Sequence, residues 1–311
     1  VQDMKILNIG SLNVDYVYKV DKFLLPGETK SSLSLNKYCG GKGLNQSIAA
    51  AKAGNEVCHA AVLGVGGEML KEALDKNGVD TGMIQESADT CGHAIIQVDE
   101  KGQNCILLYG GTNRALTKEF IDNALDSFGN NGLVLLQNET NLVGYIIERA
   151  AEKGLMVALN AAPANDDVLG YPIDKLTWLI VNEVEGRQIA GCESDDEIID
   201  TLRAKYPNCK ILLTLGSRGA CCYDGSKLYT IGCHKVDVVD TTAAGDTFTG
   251  YFLYGVLNGY SMEECLRMAT TASAVCVGRN GASDSVPLKS EIDDIIKNNK
   301  YGRLEVAVKD M

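Results

Sequence analysis

Tryptophan occurs once, proline five times and histidine three times in these 311 residues. No segment approaches about 18 consecutive apolar residues, so no stretch is a candidate membrane-spanning helix. The N-terminus also lacks the charged region and apolar core of a secretory leader. Val1-Gln2-Asp3 ahead of Met4 reads as an expression remnant. His59, His93 and His234 lie far apart, and none of the 11 cysteines belongs to a C-x-x-C pair. That removes zinc-ligand spacing and a secreted disulfide framework. Reduced thiols and a cytoplasmic location are expected, with Cys221 and Cys222 alternating across a strand. Basic runs are missing too: 29 Lys and Arg face 41 Asp and Glu, for a formal charge of −12. Nucleic acid and anionic membrane surfaces are therefore expected to be poor partners. An anionic substrate would have to be met by backbone dipoles, a metal or a few cationic side chains.

What is present is a rhythm of short apolar runs and helical patterns. Strands are expected at Lys5–Gly10, Val57–Leu63, Leu133–Gln137, Met156–Asn160, Trp178–Val181 and Lys210–Leu215. Helices are expected at Gly43–Ala53, Leu142–Lys153, Glu183–Ala190, Asp196–Lys205 and Phe248–Leu257. Such alternation implies an α/β fold with a mainly parallel sheet covered on both faces, which binds ligands at the carboxyl ends of its strands. Two regions, about 13–38 and 91–110, break the rhythm with extended segments and a hairpin at Asp99–Gly102. They are expected to form a small second sheet projecting as a lid. Otherwise residues 1–311 read as one domain.

The segment Asp240-Thr241-Thr242-Ala243-Ala244-Gly245-Asp246 leads small residues into a helix. Backbone N–H groups there can meet an anion with the helix dipole behind them. Asp246 cannot itself bind phosphate, and so reads as a base for the hydroxyl that receives it. Gly40-Gly41-Lys42-Gly43-Leu44-Asn45 opens another helix without the spacing of a Walker A loop. Asn13 and Asp15 share one side of an extended chain and suit vicinal hydroxyls; the same spacing also suits a plain strand-end turn. Asn182 and Glu185 are either a capping box or a holder of hydrated Mg²⁺. Thr214-Leu215-Gly216-Ser217-Arg218-Gly219 suits a loop along a nucleotide, with Arg218 facing phosphate or solvent.

Taken together, G-S-L-N-V-D, G-G-K-G-L-N-Q, L-N-A-A-P-A, N-E-V-E, T-L-G-S-R-G and D-T-T-A-A-G-D-T-F resemble the ribokinase family of sugar and nucleoside kinases. The resemblance runs from Gly10 to about Pro287. It implies a ribokinase-like fold with a β-sheet lid that mediates dimerisation. It implies ATP-dependent phosphorylation of D-ribose at O5, with Asp246 as base and the Ala243, Ala244, Gly245 and Asp246 amides around the transferred group. Asn13, Asp15, Gly41, Lys42, Gly43, Asn45 and Glu139 would surround the sugar. Asn182, the Thr214–Gly219 loop and Thr270 would contact ATP, with Glu185 organising Mg²⁺. Asp240, Thr242, Cys276, Arg279, Gly281 and Ser285 would hold a monovalent cation, K⁺. Gly66-Gly67-Glu68 departs from the family's G-D-D-x-x-G pattern. Tyr16 and Tyr18 keep a nucleoside such as pseudouridine open, alongside deoxyribose, a ketose, or a non-catalytic sensor on the same scaffold.

Overall fold

The structure is a computed structural model that describes residues 4–311; the reading of Val1–Asp3 lies outside them. In chain order the strands are β1 (Lys5–Ile9), β2 (Asn13–Lys19), β3 (Ser34–Gly40), β4 (Val57–Val65), β5 (Asp80–Thr90), β6 (His93–Val98), β7 (Asn104–Tyr109), β8 (Gly132–Gln137), β9 (Met156–Asn160), β10 (Trp178–Asn182), β11 (Lys210–Thr214), β12 (Ala220–Tyr223), β13 (Lys227–Ile231) and β14 (Val306–Asp310). The α-helices are α1 (Lys42–Lys52), α2 (Glu68–Lys76), α3 (Lys118–Phe128), α4 (Val143–Glu152), α5 (Glu183–Ala190), α6 (Ile198–Lys205), α7 (Ala244–Leu257), α8 (Met262–Val277) and α9 (Lys289–Lys297).

Ten strands form the main sheet in the order β14-β13-β12-β11-β10-β9-β8-β1-β4-β5. Pairing is parallel from β5 through β11 and antiparallel from β11 to β14. Alternate side chains on each strand feed opposite cores. Leu133 and Leu135 join one cluster with Leu44, Leu70, Phe252 and Leu266, and Val134 and Leu136 join another with Ile121, Ile146, Ile189 and Leu202. Helices α1, α2, α7, α8 and α9 thus cover one face and α3 to α6 the other, which explains the unbroken apolar runs of the central strands. Cys222 lies in the first core and Cys221 packs against the second, as the alternation predicts.

Four strands form the small sheet in the order β3-β2-β6-β7. Exposed Leu35, Tyr38, Ile106, Leu107, Leu108 and Tyr109 give it an unusually apolar surface. Sequence periodicity assigns no strand to Asp80–Thr90 or Val306–Asp310. Both are edge strands, β5 and β14, that expose most of their residues and so lack an apolar signature.

Strand β1 pairs with β8 on one side and β4 on the other, so the chain changes direction at the centre of the sheet. The crevice at such a switch point is where open α/β sheets bind ligands. Over it lie α1 and α7, brought together by Gly250. A Cβ at Gly250 would stand 2.6 Å from the Ala49 carbonyl carbon and the Ala50 nitrogen, both backbone atoms that cannot yield cheaply. We expect Gly250→Ala to destabilise the fold by about 1–3 kcal/mol through overpacking. Urea unfolding of the variant beside the parent protein measures this; an unchanged midpoint would contradict it.

Candidate active site

Strand β1 ends beneath the first turn of α1, where a small network closes the crevice. Glu139, just past β8, accepts the Lys42 backbone N–H at 2.8 Å and the Ser11 hydroxyl. Ser11 Oγ in turn accepts the Gly43 N–H at 3.0 Å. A carboxylate here faces the positive end of the α1 dipole. Gly41 enters the helix at φ 92°, a left-handed conformation that favours glycine. The G-G-K-G cluster is therefore a tight helix start that carries Lys42 and Asn45 into the crevice.

Asn13 is buried, and its Oδ1 accepts from Asn113 Nδ2 at 2.7 Å. Asn113 Oδ1 accepts the Leu12 N–H at 2.9 Å. Burial and the Glu139 carboxylate push the Asp15 carboxyl up to about 6. A cavity of about 390 Å³ opens beside this group, lined by Asn13, Asn113, Arg114, Asn138 and Glu139, with Tyr109 from the small sheet. Asn113, Arg114 and Asn138 escape sequence reasoning. Asn113 and Arg114 follow β7 in a 3-10 turn with no local motif, and only tertiary contact with Leu12 and Asn13 reveals Asn113. Tyr16 and Tyr18 line a separate depression with Val14, His93 and Ile95, on the other side of β2. Stacking on a nucleobase bound in the Asn13 cavity is thus not available to them.

Asp246 sits in the first turn of α7 with 6 % exposure. Its Oδ1 accepts from Gln46 Nε2 at 2.9 Å and its Oδ2 from Asn45 Nδ2 at 3.3 Å. Asn45 Oδ1 is buried without a partner among the described residues, which leaves one acceptor for a ligand hydroxyl. Among the described residues, the N–H groups of Gly245 and Asp246 have no acceptor, as expected for a first turn. Ala244 differs from the sequence expectation: its N–H donates to the Thr241 carbonyl at 3.2 Å, closing the turn that Ala243 makes at φ 61°. Lys42 joins the two sides of the crevice. The Asp246 carboxylate foremost, then Glu139 and Glu185, raise its pKa against the opposing effect of burial.

Asn182 and Thr214 are paired in register at the ends of β10 and β11. Asn182 caps α5: its Oδ1 accepts the Glu185 N–H at 2.9 Å, while Glu185 accepts the Asn182 N–H at 3.0 Å and Nδ2 at 3.1 Å. The capping box is therefore formed, and burial raises the Glu185 pKa despite these bonds and the field of Lys42. Gly216, Ser217 and Arg218 form a 3-10 turn after Leu215, closed by Gly219. Arg218 turns to the surface and pairs with Asp195 at 2.5 Å, rather than facing the crevice. Thr270 on α8 is buried, with Oγ1 unpartnered among the described residues.

The residues expected around a cation also converge. Asp240 accepts the Thr242 N–H at 2.8 Å and the Gly281 N–H at 3.1 Å. Burial pushes its carboxyl up, but these bonds outweigh it and hold it below the usual range. Cys276 Sγ lies 3.7 Å from the Thr242 carbonyl and 3.1 Å from Ser285 Oγ. The Arg279 guanidinium pairs with Glu291, so only its backbone can face this group. Among the described residues, no three His, Cys, Asp or Glu side chains form a metal cluster, and no helix is long and apolar enough to cross a membrane.

A parallel sheet with a crevice at its switch point, a carboxylate at a helix start and a second small sheet define a class of phosphotransferases. The chain belongs to the pfkB family of carbohydrate kinases, which it matches over residues 3–289. It is 34% identical over 304 residues to the ribokinase of Haemophilus influenzae, covering 93% of this chain and 97% of that protein. Among solved structures it resembles the ribokinase of Cryptococcus neoformans var. grubii in complex with ADP, with TM-score 0.82 and 31% identity over 94% of this chain and 99% of that one. It also resembles Arabidopsis thaliana ribokinase complexed with ribose and ATP, with TM-score 0.83 and 29% identity over 95% of this chain and 99% of that one. The family resemblance carried by the motifs is therefore correct, as is the mixed α/β fold with a separate small sheet.

The raised Asp15 pKa has a measurable consequence. Between its ordinary value of 3.8 and about 6, the native state binds more protons than the unfolded chain. Stability associated with Asp15 is therefore present at low pH and lost as pH rises through that window. Asp15→Asn should raise the melting midpoint by about 1–4 °C near neutral pH, with a smaller gain near pH 4. Scanning calorimetry at the two pH values checks the sign. A variant less stable than the parent at neutral pH would refute the account.

Proposed function

We propose that the protein transfers the γ-phosphoryl group of ATP to O5 of D-ribose, giving ribose 5-phosphate and ADP. The observation that carries this reading is the position of Asp246: a buried carboxylate beside free first-turn N–H groups, reached from the other side by Asn45 and Lys42. The sugar occupies the cavity that Asn13 and Glu139 line, with Asp15, Lys42 and Asn45 reading its hydroxyls and Gly41 and Gly43 shaping its edge. The 5-hydroxyl attacks the γ-phosphorus in line and gives its proton to Asp246. The bond from phosphorus to the β–γ bridging oxygen breaks, and ADP leaves with that electron pair. The Gly245 and Asp246 amides stabilise the charge on the transferred group, so positioning and electrostatics supply most of the acceleration.

ATP lies along Asn182, the Thr214–Gly219 loop and Thr270. Glu185 suits Mg²⁺ held through water, since each of its oxygens accepts a single bond from Asn182 and keeps a lone pair. When bound, Mg²⁺ neutralises charge on the triphosphate. The convergence of Asp240, Thr242, Cys276, Gly281 and Ser285 around one turn favours K⁺ there; these residues, with the Arg279 backbone, would hold it, several through their carbonyls. Residues 1–311 act as one kinase domain. The small sheet, 13–38 and 91–110, serves as a lid that excludes water, and its exposed Leu35, Tyr38, Ile106 and Leu108 form a homodimer contact. A cytoplasmic location suits the unpaired cysteines and the ATP requirement.

Two experiments test this reading. Asp246→Asn should lower kcat by about 10²–10⁴-fold while ribose binding persists; near-normal turnover in the purified variant would remove Asp246 as the base. A coupled assay across ribose, 2-deoxyribose, fructose and pseudouridine, with and without K⁺, should give the highest kcat/KM for ribose. A preference for another acceptor would change the substrate and leave the kinase reading standing. A nucleoside is disfavoured because Tyr16 and Tyr18 line a different depression from Asn13. Failure of every acceptor with intact ATP binding would favour a sensor.

A further inference from the structure

Behind Asp246 runs a chain of buried side-chain amides to which the phosphoryl transfer described above gives no role. Asn8 and Gln46 are fully buried and Gln137 is 1 % exposed. Gln46 Nε2 donates to Asp246 Oδ1 at 2.9 Å. Gln137 Nε2 donates both to Gln46 Oε1 at 2.8 Å and to Asn8 Oδ1 at 3.1 Å. Asn8 Nδ2 donates to the Gly43 carbonyl at 2.8 Å.

A carboxamide has one donating end and one accepting end, so each link dictates the next. The Gly43 carbonyl can only accept. Asn8 must therefore turn its Nδ2 to Gly43 and its Oδ1 to Gln137. Gln137 must then donate to both neighbours, and Gln46 must accept on Oε1. That leaves Gln46 Nε2 facing Asp246. Turned over, Gln46 would set an acceptor against a buried carboxylate, and Asn8 would set one against a carbonyl. Both ends of the chain thus enforce the same direction. Among the described residues the observed direction leaves Gln137 Oε1 without a partner, whereas reversing it would set oxygen against oxygen at Gly43 and at Asp246 in a water-poor interior.

We propose that Gln46 and Gln137 are positioning residues for Asp246, oriented by this relay from the Gly43 carbonyl. The inference rests on Asp246 being the base. The relay ties Oδ1 with the shorter bond and leaves Oδ2, held only at 3.3 Å by Asn45, as the oxygen that takes the proton from the substrate hydroxyl. Lys42 on α1 is the charged group that faces Asp246, with Glu139 and Glu185 also around Lys42; none of them belongs to the relay. A branch leaves it at Asn8, whose Nδ2 also reaches Ser47 Oγ at 2.8 Å, and Ser47 in turn bonds His59 Nδ1 at 2.8 Å. Ser47 does not set the direction, because the Gly43 carbonyl already does.

That branch supplies the control. Gln46→Met removes the donor to Asp246 and should lower kcat by about 10–100-fold, the worth of a hydrogen bond to a charged group, with KM for ribose and ATP nearly unchanged; Gln137→Met, which removes only the neutral bonds that orient Gln46, should lower kcat by about 3–10-fold. Gln137→Glu keeps the shape but cannot donate as a carboxylate, and should act in the same direction. Ser47→Ala loses a buried bond outside the relay; it should lower the melting midpoint yet keep kcat within about twofold. Carboxyl ¹³C titration should show the Asp246 carboxyl shifted upward in Gln46→Met relative to the parent protein, because its ionised form loses the Gln46 donor. A folded Gln137→Met with parental kcat, or with a loss no larger than that of Ser47→Ala, overturns the proposal; so does an unmoved Asp246 titration. Gln46→Met, which removes both bonds that Gln46 makes, still tests the proposal should the Gln137 variants not fold. Normal turnover in Asp246→Asn would defeat the base reading by itself, while the titration still reports on the relay.

Discussion

The hydrogen bonds from Asn45 and Gln46 to Asp246 join residues about 200 positions apart, and the rest of the site is arranged around them. A carboxylate loses much of its hydration when it is buried this deeply, and it stays in place only if donors replace that water. The donors come from α1 and the carboxylate from α7. The two helices must therefore pack closely, and Gly250 against Ala49 and Ala50 permits that approach. Through α1 the constraint reaches Glu139, which holds the helix start, and through α7 it reaches the turn at Ala243. A sugar-sized cavity on one side and the ends of β10 and β11 on the other are thereby set in register across Lys42.

Charge economy follows from the same arrangement. The chain carries a net −12, yet the crevice is suited to anions because its positive field is local. It comes from the Lys42 ammonium and from the Gly245 and Asp246 amides at the start of α7. Arg218, a cationic side chain that the sequence could have offered to a phosphate, instead braces the surface through Asp195. Side-chain cations are cheap to lose to solvent-exposed partners, whereas first-turn amides have nowhere else to point.

Much of the architecture is legible in the residues. Buried parallel strands announce themselves as apolar runs, and β1, β4 and β8 to β11 fall where those runs lie. The capping box at Asn182 and Glu185 is likewise local, because it needs only residues three apart. Edge strands β5 and β14 are not legible: one side of each faces solvent, so their composition resembles a loop. Within the site, motif residues such as Gly41, Asn45 and Asp246 could be picked out, because small residues at helix starts are a local signal. Asn113 could not, since its importance lies in reaching Leu12 and Asn13 from a distant turn.

Sequence alone therefore determined the fold class, the family and the identity of the chemical groups, because periodicity, caps and glycine turns act over a few residues. Tertiary structure decided which of those groups meet. It divided β2 into a face carrying Asn13 and a face carrying Tyr16 and Tyr18. It turned Ala244 to Thr241 and Arg218 to Asp195, and it strung Asn8, Gln137 and Gln46 behind Asp246. Such contacts join elements far apart in the chain, and their geometry is set by how helices pack on a twisted sheet, which no short stretch of residues encodes.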